Sequence, residues 1–384
     1  MRLPLDGIRI LDFSSLLPGP YCTVFLADFG AEVIKIEEPS KGDGVRWFPP
    51  FINGISARHL LVNRNKKSIK LNLKKAEEKE VAKKLIETAD VLVEGFRPGV
   101  MERLGLGYQT VREINSQIIY CSISGYGQNG PYRNLVGHDI NYLGFSGILD
   151  LTGEKDGRPV VPGCQVSDIG GGMLAIIGIL LALIYRSKTG KGQYIDISML
   201  DGAIAQLYAT AGDYFATGIP PRRGDNKVSR VLEGYACYTI YMTKDNKYVT
   251  VGALEEKFWA SLCQKLGRED FIEAQFVPEK QDEMKRVLSE IFRTKTRDEW
   301  MKELEGLDIP FGPVYTVEEA FKDPHVLFRK MITEMEHPAI GKVKQIGIPI
   351  KFSEIEGRIR TPAPALGEHT SEILEELGCK GEES

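Results

Sequence analysis

Asp168 is the residue whose setting most strongly suggests chemistry. It precedes Ile169 and three consecutive glycines, 170–172, and an apolar stretch of helical character follows. Aspartate is a favoured helix N-cap, so a structural role is open. Three glycines are a costly choice for an opening helical turn and indicate that something approaches the backbone closely. N–H groups exposed there would stabilise a developing oxyanion. From the residues alone, capping and catalysis remain equally open.

Two more side chains could take part in acid–base chemistry. His138, one of only five histidines, lies in the stretch 137–142, which reads GHDINY. An imidazole is the base that proton abstraction near neutral pH requires, although a single histidine is more often structural. Glu255 follows an apolar run at a predicted strand-to-helix junction, where the helix dipole also favours an acid without any catalytic role.

Cations in the first hundred residues suggest a phosphorylated ligand. Arg97 follows a predicted strand and precedes a Pro-Gly turn, and ligands of open parallel sheets bind at strand ends. Each of these cations alone is more often a solvated surface residue, but together they favour a ligand with several phosphates. The group comprises Arg64, Lys66, Lys67, Arg97 and Arg103.

Other motifs are weaker or missing. Residues 125–130, GYGQNG, match the spacing of a dinucleotide-binding fingerprint, but Pro131 follows and no apolar helical period continues, so we interpret them as a loop. The sequence carries no metal-ligand spacing, no Walker phosphate loop and no G-x-S-x-G motif. We therefore predict no metal and no tightly bound cofactor.

The elements that must position these residues alternate between strand and helix. Apolar β-prone runs and helical periods predict a mainly parallel sheet with helices on both faces. The predicted strands are Ile8–Phe13, Glu32–Glu37, Val91–Glu94, Ile118–Ser122 and Gln193–Ser198, and the predicted helices include Tyr21–Phe29, Ala76–Thr88 and Met199–Thr217.

The chain is long enough for two lobes, since 384 residues exceed what one core usually supports. Residues 218–227 are rich in Pro, Arg, Gly and Asp and indicate a linker. A hairpin, Cys237–Met242 with Tyr248–Val251, and three helical stretches follow. The pattern predicts a large domain beginning with residues 1–220, a smaller α+β domain over 225–330 and a C-terminal segment, 331–384.

Composition limits the class of protein. The chain has 49 Lys+Arg and 53 Asp+Glu, a net charge of −4, which argues against nucleic acid as the main partner. Scattered cysteines and the lack of an apolar leader predict a reduced, cytoplasmic protein. The longest apolar run, Met173–Tyr185, is too short to cross a bilayer and predicts a buried helix, so we expect no membrane association.

The sequence resembles the class III CoA-transferase (CaiB/BaiF) superfamily over Leu5 to about Leu377, and within it most resembles the α-methylacyl-CoA racemases. The resemblance is carried by residues 18–20, 28–35, 63–66, 94–99, 137–142, 168–172 and 366–370. It implies a Rossmann-like large domain, a small domain, a C-terminal segment that returns to the large domain and an interlocked homodimer. The implied substrate is a CoA thioester whose acyl end lies between the two subunits.

The resemblance also implies CoA-binding residues. Leu16, Leu71, Arg97 and Arg103 match the family's CoA contacts by position. Glu38 stands where racemase relatives carry an arginine that contacts CoA, and Lys35, or Lys66 with Lys67, is expected to replace it.

Two reactions follow from the resemblance. As a racemase, the protein would invert C2 of a 2-methylacyl-CoA through an enolate, with His138 and Asp168 as bases on opposite faces of the substrate. The amides near Gly170 would hold the enolate oxygen. Asp139 or Glu255 would orient the imidazole. Glu255 matches the acid that supports this histidine. The sequence favours this interpretation because the family's transferases commonly lack the histidine pattern and carry a glycine-rich loop that Glu233–Phe258 does not resemble.

The alternative is a CoA-transferase in which Asp168 is the nucleophile and CoA passes between carboxylic acids through an aspartyl-CoA thioester. Cys164, where racemases usually have asparagine, departs from the racemase pattern. A non-catalytic CoA-binding subunit is a third interpretation, which the presence of Asp168 beside His138 disfavours.

Overall fold

The computed structural model describes residues 2–225, 229 and 234–379, so the last residues of the predicted linker, 226–227, lie outside the described residues. The strands are β1 (Arg9–Asp12), β2 (Glu32–Glu37), β3 (Phe51–Ile52), β4 (Ile55–Ser56), β5 (Lys66–Lys70), β6 (Val91–Glu94), β7 (Ile119–Ser124), β8 (Gln193–Ser198), β9 (Tyr238–Met242), β10 (Tyr248–Gly252), β11 (Phe311–Pro313), β12 (Ile332–His337) and β13 (Gly341–Ile346).

The α-helices follow the same order along the chain. They are α1 (Pro18–Asp28), α2 (Ala57–Val62), α3 (Ala76–Thr88), α4 (Val100–Leu104), α5 (Tyr108–Ile114), α6 (Asp139–Ser146), α7 (Ile148–Leu151), α8 (Val166–Thr189), α9 (Met199–Ala205), α10 (Tyr208–Thr217), α11 (Glu256–Lys265), α12 (Gln281–Phe292), α13 (Arg297–Glu303), α14 (Val317–Lys322), α15 (Pro324–Phe328) and α16 (Thr370–Glu376).

The chain folds as two compact units. The first comprises residues up to Ser146, Cys164–Ile204 and the chain from Asp323 onward, and the second comprises Gly147–Gly163 and Ala205–Lys322. Residues 147–163 and 205–220, predicted as part of the large domain, therefore group with the second unit. Arg223 shows why, because its guanidinium donates hydrogen bonds to the carbonyls of Asp150 and Gly157.

A six-stranded sheet forms the centre of the first unit, and all its neighbouring strands are parallel. The strand order is β5-β2-β1-β6-β7-β8, which confirms the predicted parallel α/β sheet. The chain moves outward from β1 in one direction and from β6 in the other, so the order reverses between these two strands. Ligands of such sheets bind outside the carboxyl ends of the strands at this reversal.

Side chains that alternate along each strand form two cores, one on each face of the sheet. Ile10, Val33 and Val91 pack on one face with residues of α1 and α8. Leu11, Ile34 and Leu92, each the next residue along, pack on the other face with residues of α3. Because both faces are covered, the strands tolerate charged side chains only where these find partners inside the protein.

Helix α8 corrects one prediction. The apolar run Met173–Tyr185 lies within a helix of 24 residues. Among the described residues, this helix is long enough and apolar enough to cross a membrane, judged by length and composition alone. The prediction of a buried helix holds for one face only, because Ile177, Leu181 and Ile184 are each more than half exposed. The helix is longer than the run because polar residues extend it at both ends.

The second unit contains an antiparallel sheet in the order β11-β10-β9, and the predicted hairpin forms its β9–β10 pair. Its core is rich in aromatic residues: Trp259, Phe292 and Trp300 are almost fully buried. These side chains hold α11, α12 and α13 against the sheet.

Candidate active site

A cavity of about 550 Å³ lies on the first unit, at the carboxyl ends of β1, β6 and β7. Four of the side chains that the sequence analysis selected line it, namely Leu16, Arg97, His138 and Asp168. Each comes from a different loop or helix start. The sheet therefore gathers these four residues at the point where its strand order reverses, as the ligand rule for such sheets requires.

Asp168 lies in the first turn of α8, not at its cap, because the helix begins at Val166 and its N-cap is Gln165. Its carboxylate oxygens accept no hydrogen bond from any described residue, and the side chain is partly buried. Burial, with the negative charge of Asp139 nearby, raises the pKa of Asp168 to about 6. A poorly solvated carboxylate without donors has its lone pairs available for reaction.

Asp139 caps α8 from outside that helix. Its Oδ1 accepts hydrogen bonds from the backbone N–H groups of Ser167 at 2.7 Å and Asp168 at 3.1 Å, and from the hydroxyl of Ser167 at 2.6 Å. The expectation that Asp139 orients the imidazole of His138 is therefore wrong, because its carboxylate serves the helix N-terminus. The N–H groups of Ser167 and Asp168 are occupied by Asp139, and that of Ile169 by the carbonyl of Gln165, so these amides are not available to an enolate oxygen near Gly170 as predicted.

The glycines after Asp168 serve helix packing. A Cβ on Gly171 would come within 2.8 Å of the Met199 side chain, and one on Gly172 would come within 2.8 Å of the carbonyl oxygen of Pro18 and of the Tyr21 ring. Close approach to the backbone is confirmed at these two positions, but the neighbour is the start of α1 or α9 and not a ligand. These contacts fix the end of α8 that carries Asp168.

Replacing Asp139 with asparagine is expected to lower the pKa of Asp168 while keeping an oxygen that caps α8. In the nucleophilic role that the resemblance implies, Asp168 would react as the carboxylate, so turnover should rise with pH through about 6 in the wild type, and this acidic limb should move to lower pH in the variant. The measurement is the pH profile of kcat/KM for the acyl-CoA. Asp201→Asn, which neutralises an exposed acid at the start of α9, is the control, and an unmoved limb in Asp139→Asn would contradict the assignment.

His138 lies on the cavity wall with an exposed side chain, and its ring has no hydrogen-bond partner among the described residues. Its backbone N–H donates to Oδ1 of Asn141 at 2.9 Å, and the Tyr142 hydroxyl donates to the carbonyl of Gly137 at 2.6 Å. These bonds fix the backbone on both sides of His138 and leave the imidazole available to a ligand.

Lys35 and Lys66 are corrections to the predicted CoA-binding set, because both are strand residues whose side chains are buried inside the first unit. The Lys35 ammonium donates to the Ser14 carbonyl at 2.7 Å and lies 2.9 Å from Asp43 Oδ2. The Lys66 ammonium lies 3.1 Å from Asp12 Oδ2 and donates to two further oxygens. The sequence indicated solvated or ligand-binding cations, whereas both faces of the sheet are covered and the two ammonium groups have partners inside the protein. Arg64, from the same cationic group, is also buried, against Asp28.

The loop after β1 is held in an unusual conformation by this buried cluster. Leu16 has φ 68°, a left-handed conformation that costs a non-glycine residue about 1–3 kcal/mol. Asp43 Oδ1 accepts the N–H of Leu16 at 2.9 Å, and Lys35 fixes the carbonyl of Ser14. Leu16 therefore lines the cavity in a backbone state that buried charges stabilise.

The other predicted residues lie elsewhere. Leu71 is 4% exposed and packs in the core of one sheet face, so its side chain does not line the cavity. Arg103 lies on α4, with its guanidinium beside Gly99. Glu255 belongs to the second unit, where it is the N-cap residue of α11, and its role stays a prediction. The Glu38 carboxylate accepts hydrogen bonds from the Ser40 hydroxyl and the N–H of Lys41.

Three residues of the cavity wall were not selected from the sequence. Ser124 and Tyr126 each have a buried hydroxyl oxygen with no hydrogen-bond partner in the described chain. The guanidinium of Arg133 forms no ion pair with any described residue. Ser124 is the last residue of β7, and Tyr126 lies in the following loop, which the dinucleotide motif covers. The position of that loop after a strand was the available signal.

The fold and the cavity define a class: an α/β enzyme that carries a partly desolvated carboxylate at the ligand-binding edge of a parallel sheet. No group of three or more His, Cys, Asp or Glu residues in the described parts of the chain is placed to hold a metal ion. The profile of CoA-transferase family III matches residues 5–370, and the chain belongs to this family.

Relatives within the family are similar over almost the whole chain. Succinyl-CoA:glutarate CoA-transferase of Homo sapiens is 37% identical over 97% of this chain and 86% of its own length. Formyl-CoA:oxalate CoA-transferase of Escherichia coli O157:H7 is 34% identical over 100% of this chain and 98% of its own. A CaiB/BaiF family protein from Brucella suis superposes with a TM-score of 0.86 at 33% identity, over 98% of this chain and 100% of that one.

These comparisons confirm the family resemblance but favour the second reaction over the first. The named relatives are CoA-transferases, so they support the aspartyl-CoA alternative better than the racemase interpretation. The racemase interpretation depended on His138 and on the lack of a glycine-rich loop over Glu233–Phe258, of which Glu233 lies outside the described residues, and the names of the relatives favour the transferase despite both. CoA thioesters are the substrates of the class in either case.

Proposed function

We propose that the protein is a CoA-transferase that moves CoA from an acyl-CoA donor to a free carboxylic acid, with Asp168 as the nucleophile. The observation that carries this proposal is the state of Asp168, whose carboxylate lies on the cavity wall without a hydrogen-bond donor. The names of the relatives support the same reaction. The departures from the racemase pattern at Glu38 and Cys164 agree with it.

The reaction divides into two halves that mirror each other. The carboxylate of Asp168 attacks the thioester carbonyl, and CoA leaves as a thiolate, giving a mixed anhydride. The thiolate then attacks the aspartyl carbonyl, which releases the donor acid and forms an aspartyl-CoA thioester. The acceptor carboxylate attacks this thioester, and the released thiolate attacks the acyl carbon of the new anhydride. A new acyl-CoA leaves, and Asp168 is restored as a carboxylate.

We also propose that the substrates are dicarboxylic acids and their CoA thioesters. Glutarate and oxalate, the acceptors in the names of two relatives, each carry two carboxylates. The cavity wall offers the charge for such ligands, since both of its arginines lack a described acidic partner.

Trapping the intermediate tests the proposed reaction. Succinyl-CoA and hydroxylamine are added to the protein, and the peptide that contains Asp168 is examined by mass spectrometry. An aspartyl hydroxamate at Asp168, formed only when succinyl-CoA is present, is the expected result. Exchange of deuterium from heavy water into C2 of a 2-methylacyl-CoA, with no hydroxamate, would instead identify a racemase.

Replacing His138 with alanine separates the two reactions by their rates. A racemase would lose the contribution of a general base, about 10²–10⁴-fold, whereas a transferase with an intact Asp168 should lose about tenfold or less in forming the aspartyl thioester. The measurements are the single-turnover rate of hydroxamate formation and the rate of deuterium exchange at C2, each in wild type and variant. A loss beyond about 10²-fold in this rate would show that the proposed transferase role of Asp168 is incomplete without the imidazole.

The exposed face of α8 supports a further proposal, that two copies of the chain form the interlocked homodimer implied by the resemblance. Gly172, Ala175 and Ile179 on the other face are buried in the sheet core, so lipid cannot surround this helix. Ile177, Leu181 and Ile184 are left for a partner chain. Light scattering should give a molar mass of twice 42.8 kDa, and the variant Leu181→Glu should reduce this mass.

We place this dimer in the cytoplasm, in agreement with the six unpaired cysteines.

A further inference from the structure

Arg133 is a cation on the cavity wall without an assigned role. Of the charged side chains that line the cavity, Asp168 is the acid and Arg97 and Arg133 are the permanent cations. Some arginines of the same unit are ion-paired, as Arg46 is with Glu37 and Arg64 with Asp28. Arg133, like Arg97, is exposed and has no ion-pair partner among the described residues. Its charge is therefore available to an anion that enters the cavity.

The two arginines come from different loops. Arg97 follows β6, in a loop that the resemblance connects with CoA. Arg133 belongs to the segment that leads into α6, and Leu135, Val136 and His138 from that segment also line the cavity. The segment therefore contributes two apolar side chains, Leu135 and Val136, and one cation, Arg133, to the same cavity wall as Asp168. This arrangement suits a chain of methylenes that ends in an anion.

An unpaired hydroxyl next to this segment supplies an independent sign of a missing ligand atom. The hydroxyl oxygen of Tyr126 is buried and has no hydrogen-bond partner. The ring packs edge-on against Tyr132, the neighbour of Arg133 in sequence, with centroids 6.0 Å apart. Buried hydroxyls without partners are rare in native proteins, and those that occur call for an explanation. A carboxylate bound at Arg133 would supply an acceptor for this donor.

We propose that Arg133 determines specificity by binding the distal carboxylate of a dicarboxylic acyl group, with the Tyr126 hydroxyl as a second donor. The proposal rests on the proposed transferase function for the position of the reacting carboxyl at Asp168. Arginine suits this task because its planar guanidinium binds a carboxylate through two parallel hydrogen bonds. An acyl group that ends in a methyl leaves these donors without acceptors, and a site built for a polar group rejects such a ligand strongly.

The experiment compares two donors of equal length, succinyl-CoA and butyryl-CoA, which differ only at the distal end. The rate of hydroxamate formation at Asp168 and the dissociation constant by calorimetry are measured for each donor. We expect Arg133→Gln to lower kcat/KM for succinyl-CoA by about 100-fold and to change that for butyryl-CoA by less than about threefold. Arg133→Lys should recover part of the loss, since it keeps the charge and loses the paired geometry.

A matched control variant shows whether the effect is specific to Arg133. Arg112→Gln removes an exposed arginine of α5 that does not line the cavity, and both donors should react as in the wild type. Equal losses for both donors in Arg133→Gln, or an unchanged ratio of the two, would overturn the assignment of Arg133. If no hydroxamate forms in the wild type with either donor, the proposed function fails, and the ratio of the two dissociation constants still decides the role of Arg133.

Discussion

Replacing Asp168 with asparagine is expected to abolish the aspartyl-CoA intermediate and to lower kcat by about 10³-fold or more. The carboxamide has nearly the shape of the carboxylate but cannot accept the acyl group or carry CoA. The binding of acyl-CoA should persist, because the cavity walls are unchanged. The expected pattern is therefore a collapse of kcat with a dissociation constant close to that of the wild type.

The same substitution is expected to stabilise the fold. Because the pKa of Asp168 is raised from 3.8 to about 6, the ionised carboxylate at neutral pH costs about 3 kcal/mol of folding free energy, as an order of magnitude. Above pH 6 this cost is fully present, and it disappears as the pH falls from about 6 towards 3.8 and the folded protein takes up the proton. Asparagine, which is never charged, avoids it.

Urea denaturation at pH 8 and at pH 4 measures this effect. The difference between Asp168→Asn and wild type in the free energy of unfolding should be large at pH 8 and small at pH 4. Asp201→Asn, at an exposed site of α9, should show no such difference. A variant that is inactive and also less stable at pH 8 would indicate that Asp168 is a structural residue, as the capping interpretation of the sequence required.

The sequence predicted five of the six strands of the sheet and four of the residues that its topology gathers, but it did not predict β5, whose residues are mostly lysine. Strand periodicity predicted the parallel order of elements, and Arg97 and Asp168 each follow or begin an element near the carboxyl edge. Arg97 and Asp168 lie in one cavity because the order of the strands reverses between β1 and β6, and the sequence did not show this reversal. Contacts between strands far apart in sequence decide which strands are neighbours.

The main error in the prediction from sequence concerned the charged residues of β2 and β5, which were expected to be accessible to a ligand. Lys35 lies between Ile34 and Ile36 in a predicted strand, whereas Lys66 lies in a basic stretch that was not predicted as a strand, and lysine side chains are usually solvated. Their partner, Asp12, lies on a third strand, so the ion pairs depend on strand neighbours that the sequence alone does not give. Asp139 was similarly assigned to the adjacent His138, whereas its carboxylate reaches a helix that begins 27 residues later, at Val166.

Replacing Asp12 with asparagine is expected to have the largest effect on stability, because it leaves two buried ammonium groups with less compensating charge. The Asp12 side chain is fully buried, with Lys66 at 3.1 Å and Lys35 at 3.8 Å, and it also accepts hydrogen bonds from Ser14 and Thr23. Removing one partner from a buried ion pair costs about 3–5 kcal/mol. Glu80→Gln, which breaks an exposed pair with Lys83, should cost less than about 1 kcal/mol.

The double variant Asp12→Asn/Lys66→Met shows whether the cost comes from the uncompensated charge. Since the methionine removes one of the two ammonium groups, the double variant should be more stable than the sum of the two single losses, and the coupling can be read from urea denaturation. Additive losses would instead mean that Asp12 acts through Ser14 and Thr23 alone. The loop from Ser14 to Leu16 lines the cavity and depends on this cluster, so a variant that remains folded should also bind acyl-CoA more weakly. The buried charges thus connect the stability of the sheet to the shape of the site.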